Sequence, residues 1–149
     1  MPYLRLTCPA LLPEHYRHMA ERLTDAINDL FVNPRARLTR EELRERTTVH
    51  FVPYTGTDLF IGGRTPQERG RPDITVELSD WSMTMRQQRR IARTLTPLLA
   101  ELFNFAPGAI DGITIRFHPY PPRDFAVGGR LLSDLIPRIG RIMKRLFGS

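Results

Sequence analysis

Thr48-Val-His-Phe-Val-Pro-Tyr-Thr-Gly-Thr-Asp-Leu-Phe-Ile-Gly-Gly-Arg64 returns, without gaps, as Thr114-Ile-Arg-Phe-His-Pro-Tyr-Pro-Pro-Arg-Asp-Phe-Ala-Val-Gly-Gly-Arg130. Eight of the seventeen positions are identical, at an offset of 66. Upstream, Met19-Ala-Glu-Arg-Leu-Thr24 with Leu30-Phe31 matches Ile91-Ala-Arg-Thr-Leu-Thr96 with Leu102-Phe103 at an offset of 72. The chain is therefore one unit written twice, with a longer linker in the first copy, and the architecture must follow from that unit.

Each copy reads as strand, helix, strand. Leu4, Leu6 and Cys8 alternate with Tyr3, Arg5 and Thr7, the pattern of a half-buried strand. Pro13 opens a helix where its missing N–H costs nothing, and Tyr16, Met19, Ala20, Leu23, Ile27, Leu30 and Phe31 make its apolar face. Asn33-Pro34 ends that helix. Thr39 with Glu42 is a capping box, which predicts a short extra helix over 39–45 before a strand from Thr47 to Pro53. In the second copy Ile74, Val76 and Leu78 mark the strand, and Thr84 with Gln87 caps a helix with a core face of Ile91, Leu95, Leu98, Leu99 and Leu102. Pro97 is expected to kink it. A last long strand follows over 113–118. A crossover helix between two strands implies a right-handed parallel pair. The expected class is α+β, built of α/β-type β-α-β units: a four-stranded mixed sheet with two helices on one face. The units span 2–64 and 72–130 of a single fused domain, 1–149, with an amphipathic basic tail over 131–149. The uncovered sheet face calls for burial against other copies, and a closed ring is the usual solution.

Composition narrows the function. The 149 residues are 41% hydrophobic and 26% charged, and no apolar run approaches the roughly 20 residues of a membrane span. The amino terminus lacks the layout of a secretory signal. A single cysteine, Cys8, excludes an internal disulfide and a cysteine-based zinc cluster and suits the reducing cytoplasm. The net charge of +6 comes from 22 basic residues, of which only Lys144 is lysine, interspersed with 16 acids. That distribution argues for neither nucleic acid nor membrane as a partner. No His, Asp or Glu spacing reads as a metal site.

Pro2 before a strand, the helix over 14–31 and the hairpins Leu59-Phe-Ile-Gly-Gly63 and Phe125-Ala-Val-Gly-Gly129 resemble the tautomerase superfamily. The match, over 2–132, is to a head-to-tail fusion of two units like 4-oxalocrotonate tautomerase. The resemblance implies a tautomerase-like fold, a homotrimer and a cofactor-independent enzyme acting on a small carboxylate substrate. In that family the amino-terminal proline, here Pro2 after removal of Met1, moves a proton on an enol or dienol or assists hydration of acrylate-type acids. An α-amino group titrates near pH 8, and an apolar pocket and neighbouring arginines would lower that value toward a neutral base. Pro72 stands at the start of the second unit, but its nitrogen is a tertiary amide without basicity, so one site per chain is expected.

The remaining site residues depart from the family pattern. Leu12 and Ser82 occupy the loop position of the family's arginine, and Thr48 and Thr114 that of its strand arginine. Arg116 and His50, two residues on, are carried as substrate-binding candidates, His50 with a structural role equally open. Phe125 and Phe60 neighbour the family's pocket aromatic. Tyr54 and Tyr120, repeated in both copies, suit a structural role, as Arg64 and Arg130 suit the turn or an interface. The third strand runs into Ser79-Asp-Trp-Ser82 without the paired arginines of the dehalogenating relatives, which disfavours haloacrylate chemistry. Two readings stand: a tautomerase or isomerase with Pro2 as general base, and a non-catalytic trimeric scaffold of the same fold.

Overall fold

Alternation becomes register in the computed structural model, which describes residues 1–35 and 38–135. Strand β1 (Tyr3–Pro9) buries Leu4, Leu6 and Cys8, and helix α1 (Pro13–Phe31) lays Met19, Leu23 and Ile27 over it. A one-and-a-half-turn helix, α2 (Arg40–Glu45), follows, with the capping box of Thr39 and Glu42 formed. The Thr39 backbone N–H donates to the Glu42 carboxylate and holds it below the usual carboxylate range. Arg40 and Arg44 bind α2 to Asp29 and Asp25 of α1. Strand β2 (Thr48–Tyr54) then lies parallel to β1.

A single helical turn, α3 (Pro66–Arg69), was not anticipated, although Thr65 caps it and Pro66 opens it. Beyond it the unit repeats as β3 (Ile74–Trp81), α4 (Met85–Leu102), a 3₁₀ segment (Pro107–Gly112) and β4 (Ile113–Tyr120). The capping box of Thr84 and Gln87 opens α4, and the helix continues through Pro97 to Leu102. The sheet order is β2-β1-β3-β4: parallel within each unit, antiparallel at the β1–β3 junction. One core cluster joins Leu4, Leu6, Leu23 and Ile27 of the first copy to Val76, Leu78, Leu95 and Leu99 of the second.

The opposite face of the sheet is largely polar and is left uncovered by the described residues of one chain. It carries Arg5 and His118 on either side of Glu77, and the hydroxyls of Thr75 and Thr114 in contact. The two glycine pairs form tight hairpins. Gly62 and Gly63 adopt φ of 59° and 75°. Ile61 and Arg64 exchange backbone hydrogen bonds around them, and β5 (Ala126–Val127) and β6 (Arg130–Leu131) flank the second pair. Both central residues of this turn need positive φ, which is why glycine recurs here. One turn, α5 (Leu132–Leu135), follows, and the rest of the basic tail lies outside the described residues. Among the described residues no helix is long and apolar enough to cross a membrane.

Register also corrects the start of the second copy. Tyr3 pairs with Thr48, and Thr75 with Thr114, so the offset of 72 extends into the first strand and Ile74 stands where Pro2 stands. Pro72 lies two residues earlier. By the same offset Cys8 corresponds to Asp80, a difference with chemical consequences. Burial pushes the Cys8 thiol up to about 11, which leaves roughly one molecule in a thousand as thiolate at pH 8. Cys8 is therefore expected to resist a disulfide reagent in the native protein and react at once in denaturant. Because the unfolded thiol ionises near its ordinary 9.0, its contribution to stability is intact below pH 9 and falls as pH rises from there through about 11.

Candidate active site at the amino terminus

Parallel pairing brings the starts of β1 and β2 together, and the antiparallel junction adds the ends of β3 and β4. Pro2 sits at this corner fully buried, its carbonyl accepting from the Thr48 N–H at 2.9 Å. The β1–β3 register runs from Tyr3 opposite Ser79 and therefore reaches Asp80 opposite Pro2. Asp80 is 7% exposed, and its Oδ1 lies 2.7 Å from the Met1 ammonium. The same oxygen accepts the Trp81 N–H at 2.8 Å.

Tyr120 closes the corner from the end of β4. Burial raises its phenol, and the nearby Asp80 carboxylate raises it further. Its ring stacks on Phe125 with centroids 5.3 Å apart and planes 16° from parallel. On the open face beside Pro2, the Tyr3 hydroxyl meets Nδ1 of His50 at 2.6 Å.

The pseudo-equivalent corner contains the same frame with different chemistry. Tyr54, the partner of Tyr120 in the repeat, donates to the Asp73 carbonyl at 2.7 Å and accepts from the Asp73 N–H at 3.0 Å. Tyr54 is thus structural, as its repetition suggested. Tyr54→Phe is expected to cost about 1–2 kcal/mol, since it leaves both Asp73 groups without this partner, and a lowered urea midpoint would register it. Asp73 corresponds to Met1, so the repeat directs Tyr120 toward the first residue of the chain.

Of the sequence candidates, Pro2 lies opposite Asp80, and Phe125 stacks on Tyr120, which has Asp80 nearby. His50 is exposed on the open face against Tyr3, one residue from Pro2. Arg116 is exposed on that face too, in register with Glu77, three residues and about 10 Å along the strand from Asp80. Phe60 is 54% exposed and follows the end of β2, away from Pro2. The charge beside the amino terminus is thus a carboxylate rather than an arginine. Asp80 escaped the sequence reading, although it continues the buried series Ile74, Val76, Leu78. A charge at the apolar parity of a strand, matched to cysteine in the other copy, was the signal available.

No protein-family profile and no curated protein matches the sequence. Solved structures do match the fold. The F6 fused 4-OT, an asymmetric trimer, has a TM-score of 0.70 at 20% identity over 89% of this chain and 98% of that one. N1, a member of the cis-3-chloroacrylic acid dehalogenase family, has a TM-score of 0.64 at 18% identity over 87% and 82%. A macrophage migration inhibitory factor homologue from Prochlorococcus marinus has 0.65 at 11% over 87% and 98%. The chain has the tautomerase-like fold in its fused, two-unit form.

Proposed function

We propose that this protein is a cofactor-independent tautomerase or isomerase of small enol or 2-oxo acids, working through the secondary amine of Pro2 once Met1 is removed. The observation that carries this reading is the buried position of Pro2, at the corner where both units of a tautomerase-like sheet meet. A free amine there takes a proton from the substrate enol and returns it to carbon, so no redox partner is consumed. Tyr120 and Phe125 supply an aromatic wall. A trimer is part of the proposal: the open face carries Arg116 and His50, and the matching F6 fused 4-OT is a trimer. In such a ring Arg116 of one copy would serve the carboxylate of a substrate bound at a neighbour's Pro2, a contact worth about 1.5–3 kcal/mol. The decisive assay is ketonisation of phenylenolpyruvate or 2-hydroxymuconate by native protein and by Pro2→Ala, and equal rates would remove the reading.

A second reading, a non-catalytic trimeric scaffold, is favoured by the contact of the Met1 ammonium with Asp80 and by Leu12, 60% exposed where the family carries an arginine. Intact mass separates the two, because a chain that keeps Met1 has no proline amine.

A further inference from the structure

We infer that Asp80 is a positioning residue for the Pro2 amine: with Met1 gone, its carboxylate accepts a hydrogen bond from the Pro2 ammonium. The second unit thereby completes the first unit's site. The inference rests on the proposed function only in taking Pro2 to be the terminal residue.

Three observations carry it. Register sets Asp80 opposite Pro2 on the neighbouring strand. The carboxylate already binds an α-ammonium at 2.7 Å, and the Pro2 nitrogen is three bonds from that atom, hence within about 4 Å of it. Its burial makes an unpaired charge costly, and the Trp81 N–H is its only other hydrogen-bond partner among the described residues. The repeat supplies the control. Where the second copy has Ile74 and no amine, the residue across the junction is Cys8 and carries no charge.

A carboxylate hydrogen-bonded to the Pro2 nitrogen favours the protonated amine, which is the form that exists after the substrate's proton has been taken up. It also fixes where the N–H points. The other titratable groups at the corner are Tyr120 from β4 and the Tyr3–His50 pair from β1 and β2. Glu77, with Arg5 and His118, lies farther along the open face.

The test is a titration of the Pro2 amine by ¹⁵N NMR in Met1-free protein, with the pH profile of kcat/KM recorded alongside. Asp80→Asn is expected to lower the amine's apparent pKa by about one to two units and to carry the acid limb of the profile with it. Asp80→Glu is expected to restore at least part of that shift. Asp80→Cys repeats the measurement with the residue the fold already buries at the equivalent place, which covers a failure of the Asn variant to fold. An amine that titrates at the wild-type pH in either folded neutral variant overturns the inference. Because the titration needs no turnover, an inactive Pro2 would leave it readable, and a catalytic Pro2 with an unmoved pKa would remove Asp80 alone.

Discussion

Under the proposed function, protein that retains Met1 is expected to turn over an enol substrate on the order of 10²- to 10⁴-fold more slowly than protein beginning at Pro2, the range a positioned base contributes. The reason is electronic. In the Met1–Pro2 peptide the proline nitrogen shares its lone pair with a carbonyl and has no basicity. The Met1 ammonium is no substitute, since it is displaced from the proline nitrogen by three bonds and is paired with Asp80. Pro2→Ala is expected to fall within the same range but toward its lower end, because a processed alanine keeps a primary amine at the same corner. Separating processed from unprocessed chains, verifying each by intact mass and comparing kcat makes the measurement.

Leu95→Ala is expected to destabilise the protein by about 3–4 kcal/mol and to lower its melting temperature on the order of 10 °C. Leu95 has no exposed surface and belongs to the core cluster spanning both copies. Its counterpart Leu23, also 0% exposed, is expected to behave alike. Leu98, on the same helix but only partly buried, should cost clearly less. Urea unfolding of the three variants measures the comparison, and equal losses at Leu95 and Leu98 would contradict the core described above.

Local chemistry made most of the fold legible. The two capping boxes formed where Thr39 with Glu42 and Thr84 with Gln87 stand, because such a cap needs only four consecutive residues. The apolar alternation of Leu4, Leu6 and Cys8 needed only a helix to cover it. The start of the second copy was misread because Pro72 is a strong local signal, whereas the true counterpart of Pro2 is decided by pairing with a strand 39 residues on, Ile74 with Ile113. Asp80 was illegible for the same reason on a larger scale. Its meaning depends on an antiparallel junction between the copies, which no window of sequence contains. Arg116 and His50 were read for their charge, and the structure finds both exposed on the open face, His50 against Tyr3 and Arg116 well along its strand from Pro2.

The inner position of β1 sets a schedule for synthesis. Tyr3 is made before its partners Thr48 and Ser79, so β1 stays unpaired while the 40 and more residues leading to them are being made. Under the proposed function, that interval is when an aminopeptidase would act on Met1. Once β3 docks, the Met1 ammonium is held on Asp80 and Pro2 is buried, so under the proposed function processing is expected to precede docking. A fast-folding chain would trap its own unprocessed form.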